Sequence, residues 1–250
     1  MQYTSDLYKE LLAGQHWKET RLQLGGTWCS EAVLMYVKTY RTTFAKNAPM
    51  VGCCISGEID LELLEPEFSI PRQACIINQV RLTDGTRYSE WLPKGKFYID
   101  TRQVRKSPTG KNILVIHGFD DMLRTEKDYP NTSLSWPAMD IDVLLEITSS
   151  LGLVVDPRTL AIIQNGYAIQ YPADYSCREV LGYIAAMYGG NFIMSDEGKL
   201  LLVQLTAFEV SEEPEEPEEP DVPDEPGIET YYLVNETGDA ITFGGDRIIV

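Results

Sequence analysis

The sequence has 250 residues and a formal net charge of −17 at pH 7, with 38 acidic against 21 basic side chains. Nine of the acids and none of the bases fall in residues 211–226, so the rest of the chain is only mildly acidic. That balance argues against a surface that grips nucleic acid, which needs clustered Lys and Arg, while the length allows one large domain or two small ones with ample apolar cores.

Tyr3 to Leu12 predicts a short amphipathic helix with Leu7, Leu11 and Leu12 on one face and Gly14 as its stop. His16 to Leu24 alternates roughly and reads as a strand, followed by the hairpin signal Gly25-Gly26. Trp28 to Val37 reads as the return strand, although Ala32 to Val37 is apolar enough for a helix. Polar Lys38 to Met50 reads as a loop. Val51 to Leu64 is strand-rich. Ile55, Ile59, Leu61 and Leu63 include a period-2 run, with Glu58, Asp60 and Glu62 on the opposite face, so this sheet is expected to be buried on one side only. Pro66 breaks the run, and Pro71 opens the next, Ala74 to Leu82, which Asp84-Gly85 closes.

The stretch from Ser89 to Leu123 organises the chain. Two strand-like runs, Lys96 to Val104 and Asn112 to His117, flank Ser107-Pro108-Thr109-Gly110, where Pro108 presets φ and Gly110 accepts positive φ. The second run is expected to leave the sheet at Gly118 and pass through apolar Phe119 to Leu123 into a helical segment. Strands at this spacing predict an antiparallel barrel or sandwich. Met122 to Trp136 is irregular and polar. Asp140 can cap a helix from Ile141 to Leu151, with Gly152 as its stop. Short strands are expected around Leu153–Val155 and Tyr167–Tyr171.

Ser176 and Glu179 form the capping box S-x-x-E ahead of Val180, Leu181, Ile184, Met187 and Tyr188 at helical spacing. Gly189-Gly190 ends that helix, and a hairpin follows: Asn191 to Met194, then Lys199 to Leu205. Residues 211–226, SEEPEEPEEPDVPDEP, cannot form a core and read as a stiff polyproline II linker advancing ~3.1 Å per residue. Beyond it, Tyr231 to Val234 and Ala240 to Val250 read as strands around a turn at 235–239. A lone hairpin is marginal, so this tail is expected to pair with its own domain or with another subunit. The expected fold class is β-rich α+β. Its divisions are a first β domain with an N-terminal helix at 1–118, a helical segment plus a second α+β unit at 119–210, the linker at 211–226 and a short β tail at 227–250.

No recognised catalytic spacing appears. There is no nucleophile elbow G-x-S-x-G, no HExxH, no P-loop and no GxGxxG. Cys29, Cys53, Cys54, Cys75 and Cys177 show neither CxxC nor zinc spacing and read as reduced, mostly buried thiols of a protein made in a cytoplasm. His16 and His117 read as structural. Asp120-Asp121 is the most tempting acidic pair, but adjacent residues on a helix diverge by ~100° and seldom share a metal, so a capping role is expected. Glu58, Asp60 and Glu62 share a face that could hold a cation and reads as solvated. Trp91 beside Pro93 and Trp136 beside Pro137 read as core or interface anchors, with a sugar-stacking platform as the alternative. No catalytic residue, cofactor site or metal site is therefore assigned. The N-terminus lacks a basic region and a long apolar run, so no signal peptide is expected. No stretch approaches the ~20 apolar residues of a membrane span, so membrane binding is not expected.

At SEWLPKGKFYID, GFDDML and REVLGYIAAMYGGNFIMSDEGKL the chain resembles the tail hub proteins of bacteriophages and prophages of Gram-positive hosts, the baseplate hub group related to the phage T4 hub. The resemblance spans residues 3–207. It implies tail-tube-like β domains with α/β insertions, arranged by a homotrimer as a pseudo-sixfold ring. It implies a structural virion protein in the baseplate or tail tip, assembled in the host cytoplasm. Such a protein joins the tail tube or distal tail protein to the central spike or fibre and lines the channel that DNA crosses without specific binding. The implied first tube-like domain is residues 15–118. Longer relatives continue into a peptidoglycan hydrolase or receptor-binding region, and this chain stops after TFGGDRIIV, so no cell-wall hydrolysis is expected. With no recognised catalytic spacing, no enzyme activity is expected either, a hydrolase using Asp120, Asp121 or His117 being the third reading. A phage receptor-binding or carbohydrate-binding tail protein is the alternative.

Overall fold

Alternation of apolar and polar side chains builds much of this chain into one curled antiparallel sheet. The computed structural model describes residues 3–29, 33–44, 50–64, 66, 68–130, 134–164 and 166–205, and the backbone of 242–243 and 246–247. Residues 1–207 make one unit and residues 208–250 another.

Ser5 caps helix α1 (Asp6–Ala13) by accepting the Tyr8 N–H at 3.1 Å. Leu11 is buried but Leu12 is exposed, so the apolar face is narrower than the spacing predicts. Strand β1 (Trp17–Leu24) turns through Gly25 and Gly26, at φ 56° and 93°, into β2 (Thr27–Trp28). Both positions need positive φ, which glycine adopts without steric cost. The expected return strand ends there. Strand β3 (Leu34–Tyr40) instead forms the far edge of the sheet, where Leu34 and Val37 pack on its apolar core. The hairpin signal set the turn, and tertiary packing decided where the next strand went. Part of the polar stretch read as a loop, Lys38 to Tyr40, belongs to this strand.

After β4 (Cys54–Ile55), β5 (Glu58–Leu64), β6 (Cys75–Thr83), β7 (Leu92–Lys106) and β8 (Asn112–Asp120) complete the sheet in the order β2-β1-β6-β7-β8-β5-β3. Leu22, Ile59, Leu61, Ile76, Phe97 and Ile116 are fully buried on its inner face, each contributing roughly 1.5–3 kcal/mol of burial. Glu58, Asp60 and Glu62 stand on the other face, half-buried. Among the described residues the sheet does not close into a barrel. Lys18 to Thr20 of β1 and Leu34 to Val37 of β3 line the two sides of one cleft without ladder pairing. Strand β8 does not leave the sheet at Gly118, which pairs with Ile59 and Ile99. A Cβ at Gly118 would stand 2.5 Å from the Tyr98 carbonyl oxygen, so only glycine permits that approach.

The second core lies under a 3-10 helix (Asp121–Glu126) and helices α2 (Asp140–Leu151), α3 (Pro157–Ile162) and α4 (Cys177–Met187). Strands β9 (Ala138–Met139) and β10 (Ala168–Ile169) pair beside it. Strands β11 (Gly190–Met194) and β12 (Leu200–Gln204) form the predicted hairpin, and β4 joins β11 in parallel. Met122, Leu144, Ile147, Leu181, Ile184 and Phe192 are fully buried here. The Ser176–Glu179 capping box is present with both reciprocal bonds, and Gly152 ends α2 in the left-handed region. Asp140 is the first residue of α2 rather than its N-cap, which is Met139. The strand expected at Leu153–Val155 reduces to a single bridge, Val155 to Leu200. Helix α3 went unpredicted, although Asp156 caps it and Pro157 opens it.

In residues 208–250, β13 (Thr242–Phe243) and β14 (Asp246–Arg247) pair antiparallel with each other, within what the sequence suggested was one strand. The linker at 211–226 and the strand expected at Tyr231 to Val234 lie outside the described residues.

Candidate functional site

The acidic pair divides its labour. Asp120, at the end of β8, caps the 3-10 helix by accepting the Met122 N–H at 3.0 Å, and accepts the Gly57 N–H at 2.6 Å. Burial pushes its carboxyl up to about 6, against the pull of those two hydrogen bonds and of Arg41. Asp121 turns elsewhere. It pairs with Arg124 at 2.8 Å and Lys96 at 3.3 Å, and accepts from the Tyr98 hydroxyl at 3.3 Å. The two carboxylates therefore serve separate partners, and both tie the sheet to the helical core.

That junction is dense. Asn191 accepts the Cys53 N–H and donates to the Thr43 and Met50 carbonyls. Arg178 donates to the Cys54 carbonyl at 2.7 and 3.1 Å and to the Ser56 hydroxyl at 3.0 Å, and pairs with Glu126. Arg41, just past β3, and Lys94 of β7 both pair with Asp196 in the β11–β12 turn. Gly95, at φ 130° in a bulge of β7, makes room: a Cβ there would meet the Phe97 ring at 2.3 Å and the Arg41 guanidinium at 2.5 Å.

The remaining flagged residues have ordinary partners. His117 shares a 2.8 Å hydrogen bond with Asp60, and Glu62 pairs with Arg105 at 2.5 Å. His16 bonds the Gly14 carbonyl at 3.0 Å. Among the described residues no three His, Cys, Asp or Glu side chains gather as metal ligands. All five cysteines are free thiols. Cys177 is buried and the other four are only half-buried, and burial pushes the Cys54 thiol up to about 12. Trp136 packs beside the second core, edge-on to Tyr129 at 6.2 Å and Tyr171 at 5.3 Å. Trp91 sits on the outer face of the sheet, against two guanidinium groups.

The long strand β7 has two different halves. Up to Ile99 it alternates buried and half-buried residues, as a core strand should. A bulge follows between Ile99 and Thr101, and residues 100–106 are all exposed, on both faces. Strand β6 ends its ladder opposite Tyr98, the Ala74 carbonyl accepts the Ile99 N–H at 3.2 Å, and beyond that, among the described residues, the β7 backbone is laddered to β8 alone. Val104 is 57% exposed amid Arg102, Arg105 and Lys106. This arm, together with the outer edge of β3, which has no ladder partner among the described residues, is the candidate interaction surface.

No family model matches the sequence, and no curated protein matches it. Among solved structures, the 43 kDa tail protein of prophage MuSo2 from Shewanella oneidensis superposes with a TM-score of 0.49 at 14% identity, over 76% of this chain and 56% of that one. The tail protein from Neisseria meningitidis MC58 gives 0.48 at 15% identity, over 74% of this chain and 51% of that one. The chain thus spans about half the length of the solved structures it matches.

Proposed function

We propose that the chain is a structural subunit of a bacteriophage tail, a hub that joins the tail tube to the central spike or fibre. In this reading three copies pack as a ring around the DNA channel, and the chain carries no catalytic centre. The observation that carries it is the exposed arm of β7. Seven consecutive strand residues are exposed, and among the described residues one edge of their backbone has no ladder partner. Edges of that kind are liabilities in a protein that works alone and binding surfaces in one that assembles. The densely hydrogen-bonded junction between sheet and helical core supports the same reading, because a ring subunit must hold its contact surfaces in fixed relation. The sequence resemblance at the three stretches quoted above supplies the hub role.

Electron microscopy of the purified full chain, with its solution mass measured alongside, tests the proposal. A threefold ring with a hole wide enough for duplex DNA is expected. Val104→Asp should abolish the ring while shifting unfolding stability by less than about 0.5 kcal/mol, as exposed substitutions do. A chain that stays monomeric at all concentrations, and also when mixed with tail tube and spike proteins, would sink the hub reading. So would a Val104→Asp protein that forms rings normally.

A further inference from the structure

The outer face of the sheet carries a stacked row of side chains that the assembly role does not absorb. The Arg21 guanidinium lies 4.3 Å from the ring centroids of both Trp28 and Trp91. The Arg81 guanidinium lies 4.5 Å from Trp91 and 4.3 Å from Tyr88. The row therefore runs Trp28, Arg21, Trp91, Arg81, Tyr88. Strand register makes it: Arg21 faces Gln79, Glu19 faces Arg81, and Val80 faces Leu92, which brings Trp91 beside the two arginines. Trp28 is 44% and Tyr88 48% exposed, so the row opens to solvent.

Its charges are unevenly compensated. Arg81 donates to Glu19 at 2.7 Å. Arg21 donates only to neutral Gln79, at 2.8 Å, and among the described residues no carboxylate pairs with it. A guanidinium held between rings keeps its edge N–H groups for an outside acceptor, and carboxylates are the natural bidentate partner. The row thus asks for a ligand that alternates anionic groups with flat apolar ones.

The sequence contains such a ligand. In SEEPEEPEEPDVPDEP proline recurs at 214, 217, 220, 223 and 226, every third residue, with acids at all but one of the positions between. Polyproline II has three residues per turn, so these prolines would share one edge at intervals of about 9.3 Å. In the row, Trp28 and Trp91 are at most about 8.6 Å apart and Trp91 and Tyr88 at most about 8.8 Å, the same scale as that proline repeat. Proline rings dock on aromatic side chains, and acidic motifs on arginines. We propose that the row is a docking site for an acidic, proline-punctuated strand, and that its occupant is residues 211–226 of a second copy of this chain. The contact needs two copies and no tail component, so it stands or fails separately from the hub role.

The test is a titration of the synthetic 211–226 peptide into the full chain, with the chain's own nine linker acids changed to amides to remove competition. Saturable change in tryptophan fluorescence is expected at low salt. Arg21→Gln should weaken binding by about tenfold or more, as should serine in place of the peptide's prolines. Trp28→Ala, at an exposed ring, gives a second variant that leaves the core untouched. No saturation at millimolar peptide would overturn the proposal. An all-amide peptide binding as tightly as the acidic one, Arg21→Gln without effect, or saturation by wall oligosaccharide but not by peptide would do the same.

Discussion

Asn191 offers the most direct measure of how the sheet and the helical core are joined. It is fully buried at the second position of β11. Its Oδ1 accepts the Cys53 N–H at 2.9 Å, and its Nδ2 donates to the Met50 carbonyl at 2.6 Å and the Thr43 carbonyl at 2.8 Å. One side chain thus holds both ends of the segment that carries the chain from β3 to β4, and β4 is the strand that pairs with β11. In Asn191→Ala three backbone groups lose their partner. A buried group left unsatisfied costs about 1–3 kcal/mol. Met50 is exposed and Thr43 half-buried, so water replaces the carbonyl bonds in part, and the full penalty falls on the Cys53 amide. The expected loss is about 3 kcal/mol in all. With a urea m-value of about 2 kcal/mol/M, the unfolding midpoint should fall by about 1.5 M. Asn191→Asp keeps the acceptor but sets a carboxylate against two carbonyl oxygens. It should do at least as much damage at pH 7 and recover on acidification. A midpoint shift below about 0.3 M for Asn191→Ala would refute this account of the junction.

Two further outcomes follow from named groups. The Asp120 carboxyl, raised to about 6, holds a proton to higher pH in the folded chain than in the unfolded one, so stability should fall as pH rises from about 4 to 6, by roughly 3 kcal/mol. Asp120→Asn should flatten that slope in denaturant titrations across the window, and a profile parallel to the wild type's would exclude Asp120 as its source. Ser176→Ala removes the hydroxyl that caps α4 and should cost about 1 kcal/mol, read as a fall of roughly 2–4 °C in the unfolding temperature. Ser176→Gly should cost only a few tenths, and equal losses for the two would mean that the hydroxyl is not what caps the helix.

What was legible in the sequence was what neighbouring residues decide. Ser176 and Glu179 lie one turn apart, so the capping box needed no tertiary information, and the alternation through Ile59, Leu61 and Leu63 named the buried face of β5 outright. Asp156-Pro157 is equally local, a cap followed by proline at the first helical position, although the apolar Leu153–Val155 just before it reads as a strand. The fate of β3 was not legible. Gly25-Gly26 signals a return strand, but only the assembled core shows that Leu34 and Val37 bury better against β5. The stacked row was invisible for the same reason. Arg21 and Arg81 meet because Glu19 falls opposite Arg81, and a slip of one residue would have turned one of them into the core. Asp120 was correctly suspected as a cap, but its contact with Gly57 could not be read from two segments 63 residues apart.

The exposed arm and the stacked row differ in chemistry, and that difference bears on how copies would associate. The arm offers a backbone edge and alternating side chains, which suit another strand. The row offers rings and guanidinium groups, which suit an acidic polyproline segment. Such a segment is not a row, so a contact between the two is heterologous: one copy gives what the next receives. Such a contact closes in pairs when two copies exchange segments reciprocally. Otherwise heterologous contacts generate rings where the rotation per step divides a full turn and open filaments where it does not. A contact between the acids of residues 211–226 and the cations of the row would therefore be compatible with a reciprocal pair as well as with a ring. If amide substitution of the linker acids left the full chain's assembly size unchanged across salt concentrations, the arm alone would have to set the number of copies. A shift toward monomer at low salt would show that charge on the linker shares in setting it.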